Sequence, residues 1–150
     1  MAIPALSAAR ALCELRNWQV SNLELQKILY LAQMFYLGRT NGEPLIAEHF
    51  EAWDYGPVVP DLYRHVKGFG DQPVRNVFHW VEEVDHARPE FSLLQEAANG
   101  TANIKPGRLI AITHWDKGAW AQVYKPGEHH IRIPNRLILE EYRAREKAAA

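Results

Sequence analysis

His114 with Glu51 or Asp54 is a combination of side chains whose types suit proton transfer. A histidine near neutral pKa, set beside a carboxylate, can serve as a general base. His114 also lies at an expected helix end, where an imidazole can meet the last carbonyls and the negative end of the dipole, a purely structural role. No nucleophile or oxyanion site completes a catalytic set, so no catalytic residue is assigned. A hydrolase-type enzyme using His114 with Glu51 or Asp54 stays an alternative. His49-Phe50-Glu51 matches the His-x-Glu of zinc deaminases, but that chemistry needs a downstream Pro-Cys-x-x-Cys, and Cys13 is the only cysteine. His129 and His130 are adjacent, so on a strand they point to opposite faces and chelate poorly. Walker, dinucleotide and Gly-x-Ser-x-Gly patterns are absent. The expectation is a protein that is not an enzyme and holds no metal or cofactor.

The densest chemistry lies in Glu51-Ala-Trp-Asp-Tyr-Gly-Pro-Val-Val-Pro60. Gly56 reaches backbone angles closed to other residues, and Pro57 biases the residue before it away from helix. Pro60 and Asp61 suit a first helical turn. The reading is a short strand from His49 to Tyr55, a stiff corner at Gly56-Pro57, then a helix through Leu62, Tyr63 and Val66, stopped at Gly68. Alternation puts His49, Glu51, Trp53 and Tyr55 on one strand face and Phe50, Ala52 and Asp54 on the other. Such a corner holds Trp53 and Tyr55 in fixed directions, either to pack a core or to meet a partner.

The elements around it are mainly helical. A first helix is expected from about Leu6 to Leu15. Ser21-Asn22-Leu23-Glu24 forms a capping box, in which serine and glutamate satisfy two orphan N–H groups reciprocally. The helix it opens should run to Leu37 and stop at Gly38. Its apolar stripe is Leu25, Ile28, Leu29, Ala32, Phe35 and Tyr36. Tyr30 and Gln33 sit on its flanks, either facing a partner or at the core edge with wet polar ends. Further helices are expected over Glu90–Ala98, Pro106–Thr113, Ala119–Tyr124 and from Pro134 on, the last with Leu137, Ile138, Glu141 and Tyr142 along one side. Val74–Val81 reads as a strand or an irregular segment, and Glu82–Pro89 as a loop. His130–Ile133 alternates and could pair with the earlier strand. The closing Lys147-Ala-Ala-Ala carries no helix stop and is expected to fray. The fold class is therefore mainly α, a compact single-domain helical bundle over residues 1–150, with a core of about 5–143 and a small two- or three-stranded β element.

Composition agrees. The hydrophobic share is 47%, the charged share 23% and the net charge −1, values of a soluble globular protein. Charges of both signs are spread along both halves, which gives no electrostatic case for a nucleic-acid or anionic-membrane surface. A helix-turn-helix over Lys105–Tyr124 would start its recognition helix with Gly118, Ala119 and Trp120, odd lead residues. No apolar run approaches the ~18 residues of a membrane span. A lone cysteine on an apolar helix face is the mark of an inert core residue, and with no signal-like N-terminus it fits a reducing, cytoplasmic setting.

Ser21-Asn-Leu-Glu-Leu-Gln-Lys-Ile-Leu-Tyr-Leu-Ala-Gln33, then Phe50-Glu-Ala-Trp-Asp-Tyr-Gly-Pro-Val58 with Leu62-Tyr63, and later Leu109 through Thr113-His114 to Trp120 and Tyr124, occur in the order of one known pattern. In these residues the chain resembles the Panacea-domain proteins, which include SocA-type antitoxins and phage-associated GepA-like proteins. The resemblance spans about residues 20–142. Asp54 and Ala119 depart from it, standing where the family often has a basic residue and a proline.

The resemblance implies a helical antitoxin domain that binds and neutralises a cognate toxin protein, and in SocA-type members hands it to the ClpXP protease. Both are binding activities. The residues it singles out are Tyr30, Gln33, Glu51, Trp53, Asp54, Tyr55, Gly56, Pro57, Tyr63, His114 and Trp120, as structural or partner-contacting positions. A regulator that binds its own operon DNA is a further alternative. On this reading the corner is mainly architectural, and the partner surface lies at its rim.

Overall fold

The computed structural model describes residues 1–149. Among the described residues seven α-helices and one 3-10 turn make the fold 53% helical, with one small antiparallel sheet of three strands. In order they are α1 (Ala5–Leu15), α2 (Asn22–Arg39), β1 (Phe50–Trp53), β2 (Gly56–Val58), α3 (Pro60–Val66), α4 (Pro89–Gly100), α5 (Pro106–Thr113), α6 (Ala119–Val123), β3 (Arg132–Ile133) and α7 (Asn135–Ala149). A 3-10 turn, Lys67–Phe69, finishes α3. No helix among the described residues is long and apolar enough to cross a membrane.

α2 is the axis. Its capping box forms as expected: Ser21 Oγ accepts from Glu24 N–H and Glu24 returns a bond to Ser21 N–H. The single apolar stripe expected for it is not what is found. α1, α4, α5, α7 and β2 pack around it, so twelve of its eighteen residues are buried, including Gln26, Lys27, Tyr30, Leu31, Gln33 and Met34. Phe35, expected in the stripe, is instead half-open, edge-on to Tyr142 at 5.8 Å. A helix sealed on most sides has no single stripe to read.

Gly38 does not end α2, which runs one residue further to Arg39. Its role is a close approach: a Cβ there would stand 2.1 Å from Tyr142 Cδ2. The missing side chain lets α7 lie against α2.

The Glu51–Pro60 stretch is a β-hairpin, which corrects the expected strand-then-corner. β1 stops at Trp53, Asp54-Tyr55 make a two-residue turn, and β2 returns with Ala52 opposite Pro57 and Trp53 opposite Gly56. The strand order β2-β1-β3 places β2 at an edge, where a proline without an N–H does no harm to the ladder. Phe50 and Ala52 face the core, and Glu51 and Trp53 are half-buried, so the expected alternation is met inside the strand. β3 pairs with β1, Phe50 opposite Ile133. Residues 74–81 are irregular, yet Val74 and Phe78 are sealed in the core. α7 continues through Ala149 where fraying was expected; Ala150 lies outside the described residues.

Gly38→Ala should lower stability by roughly 1–3 kcal/mol, the usual cost of overpacking a closed contact. Urea unfolding checks it, and adding Tyr142→Ala should recover part of the loss. A Gly38→Ala protein as stable as the parent would contradict the packing described.

Candidate functional site

Tyr30 and Gln33 of α2 do not face outward. Both are 0% exposed, which corrects the expectation of a partner-facing or wet flank. Tyr30 donates to Glu141 Oε1 of α7 at 2.6 Å. Glu141 also accepts from Ala119 N–H at 2.9 Å, at the start of α6, and from Arg145 Nε at 2.8 Å. Arg145 in turn donates to Ile112 O. Gln33 accepts from the N–H groups of Leu45 and Ile46 at 2.8 and 3.1 Å and donates to Asn135 at 3.2 Å. Gln26 accepts from Val59 N–H at 2.9 Å, and Lys27 Nζ donates to Pro57 O at 3.1 Å. Burial drives the Tyr30 phenol well above its usual pKa, helped by the Glu141 charge and hydrogen bond and opposed by Arg145.

These bonds explain the positions of everything else. Positions 26, 30 and 33 share one helix face, and each of them holds a different segment: the end of the hairpin, α7 and the 45–46 loop. Glu141, Gln26 and Lys27 were not singled out from the sequence. Glu141 reads there as part of a helix face, and only its partners from α2 and α6 show it to be buried.

The hairpin so held carries the aromatic residues. Trp53 donates to Glu51 Oε1 at 2.9 Å and meets Tyr63 edge-on at 4.8 Å. Trp120, buried, donates to Trp53 O at 2.7 Å. His114 stacks on Trp120 at 3.7 Å and 3°, and Tyr124 stacks beyond at 4.4 Å, its hydroxyl bonded to Asp54. Tyr55, at the turn, is 69% exposed. Between hairpin and α2 opens a cleft of about 300 Å³, walled by Trp53, Tyr55, Val58 and Tyr63 with Lys27 in its lining. Gly56, at φ +115°, crosses above Lys27, where a Cβ would fall 2.8 Å from Lys27 Cε. Of the eleven residues singled out, Trp53, Asp54, Tyr55 and Tyr63 line this cleft; Tyr30 and Gln33 lie inside, and Gly56, Pro57, Glu51, His114 and Trp120 build or support the hairpin.

The acid–base pairing of His114 with Glu51 or Asp54 is not formed. Glu51 is taken by Trp53 and Asp54 by Tyr124, while His114 lies flat on Trp120. Burial first, and the Lys27 charge second, lower the His114 pKa, against a rise from the Tyr55 backbone. Cys13 is buried, and desolvation, with Glu14 adding, pushes its thiol up to about 12. Among the described residues no three His, Cys, Asp or Glu gather to hold a metal ion. α6, five residues long with Ala119 and Trp120 buried, presents no recognition-helix face.

The sequence pattern of the family described as "Antitoxin SocA-like, Panacea domain" matches residues 25–121. The chain is also similar to Antitoxin SocA of Caulobacter vibrioides (strain NA1000 / CB15N), 27% identical over 137 residues, which cover 83% of this chain and 72% of that protein. No solved structure matches.

Burial alone lowers Lys27 from 10.5 to about 7. The unfolded chain therefore binds more protons than the folded one between those values, and stability rises with pH across that window. Lys27→Met removes this dependence. Its urea-derived stability should exceed that of the parent at pH 7, with the gap narrowing by up to about 1.4 kcal/mol per pH unit from pH 7 to 9.5. A gap independent of pH would contradict the burial of the amine.

Proposed function

We propose, for a chain that belongs to the Panacea-domain family of SocA-like antitoxins, that it neutralises a cognate toxin protein by binding it across the hairpin rim. The observation that carries this reading is the exposed aromatic turn over an open cleft, Tyr55 with Trp53 and Tyr63 around it. Large aromatics bury much area at low conformational cost and are enriched among the residues that dominate interface energetics. They gain most when already fixed before the partner arrives. Here Trp53 is fixed from both sides, by its own indole bond to Glu51 and by Trp120 bonding its carbonyl.

Neutralisation then needs no chemistry of the antitoxin's own. The toxin is occluded at the rim, and delivery to ClpXP, the adaptor mode implied by the SocA-type resemblance, follows as a second step that uses another face. Toxin half-life in cells with and without ClpX separates occlusion from delivery: a half-life unchanged by ClpX leaves occlusion alone.

The protein encoded beside this chain is the toxin to test. Co-expression should restore growth and yield a complex. Tyr55→Ala should weaken that complex by about 2 kcal/mol, roughly 30-fold, with thermal stability unchanged because the side chain is exposed. Phe35→Ala, which lines a separate cavity, should leave affinity as it was. Equal loss from both, or no complex at all, overturns the reading.

A further inference from the structure

The cleft beneath the hairpin has an amine in its lining that makes no ion pair within the fold. Among the residues lining it Lys27 is the one lysine or arginine, and it is 1% exposed. Its Nζ makes one hydrogen bond, to Pro57 O, and its residue takes part in none of the ion pairs among the described residues. An ammonium has three donors, so two go unused. His114, close enough for its charge to interact with that of Lys27, meets the Tyr55 backbone, yet its Nε2 is buried with no partner. Two bases thus share one buried region with spare hydrogen-bonding capacity and no ion-pair partner.

The nearby carboxylates form no ion pair with either base. Asp54, at the cleft, is bonded to Tyr124, and Glu51 to Trp53. Native proteins satisfy nine in ten or more of their buried polar groups, so what is left over calls for a reason. The depressed pKa of Lys27 has burial as its only cause, with no acid to offset it. A buried amine in the lining of a cleft, perturbed in this way, is a candidate for a binding site. A volume of about 300 Å³ admits a group the size of a side chain.

We infer that this cleft receives a carboxylate side chain of the toxin, its oxygens taking the unused donors of Lys27 and its stem lying between Trp53, Tyr55 and Tyr63. The inference rests on the rim being the toxin-binding surface, and it names the group that enters there. Charge complementarity selects the acid over its amide, because a charge-assisted bond is about twice as strong as a neutral one.

Phenylacetate is the probe, with phenylacetamide as its neutral isostere. Each is titrated into protein labelled with ¹³C at lysine Cε, the Lys27 signal being identified by its absence in Lys27→Met. Phenylacetate should move that signal and bind at least tenfold more tightly than the amide. Lys27→Met should erase the preference, and Tyr55→Ala, at an exposed position, should weaken phenylacetate at least fivefold. Equal binding of acid and amide, or a Lys27 signal that stays in place, overturns the inference. No toxin enters this experiment. A toxin complex that forms while phenylacetate fails ends the inference and leaves the antitoxin reading intact; phenylacetate binding with no toxin complex keeps the carboxylate site and overturns that reading.

Discussion

A buried polar group left without a partner costs roughly 1–3 kcal/mol, and α2 carries Gln26, Lys27, Tyr30 and Gln33 inside the protein. Packing alone would let neighbouring segments slide; these groups do not. Each accepts or donates at a fixed place on another segment: Val59 N–H, Pro57 O, Glu141 Oε1, and the N–H groups of Leu45 and Ile46. The sharpest case is Glu141. A carboxylate is tolerated so deep only when its oxygens are satisfied, and here Tyr30, Ala119 N–H and Arg145 satisfy them together. That one side chain ties α2, α6 and α7 into a fixed arrangement.

The hairpin inherits its position from these bonds. Gln26 and Lys27 hold β2 and the residue after it, and Trp120, brought in with α6, holds Trp53. The turn itself contributes nothing to the core and is left exposed with an aromatic at its tip. The result is a defined surface: interior hydrogen bonds fix the frame, and the frame fixes the rim. Lys27 belongs to both. It is a tie to Pro57, and it lines the cleft under the turn.

Much of this was legible in the sequence where the signal is local. The capping box at Ser21 and Glu24 depends on four consecutive residues and forms as read. Prolines at the starts of α3 and α5 mark those helices because their missing N–H groups cost nothing there. The alternation of Phe50 to Trp53 was legible for the same reason. What failed depended on distant partners. Tyr30 and Gln33 look like flank residues until Glu141 and Asn135, more than a hundred residues on, are seen to receive them. Gly38 reads as a helix stop because nothing local reveals that Tyr142 occupies the space of its Cβ. The hairpin turn was hidden by Pro57, which reads as a break unless β2 is known to be an edge strand.

Amide hydrogen exchange of the antitoxin, free and bound to its toxin, tests most directly whether interior bonds fix the frame and the rim meets the partner. In the free protein the N–H groups of Leu45, Ile46, Val59 and Ala119, held by buried side chains, should exchange only through global unfolding. On binding, new protection should centre on Trp53 to Gly56 and Tyr63. Fast exchange at those four interior amides, or protection that falls on α1 and α4 while the hairpin stays unchanged, would contradict the account.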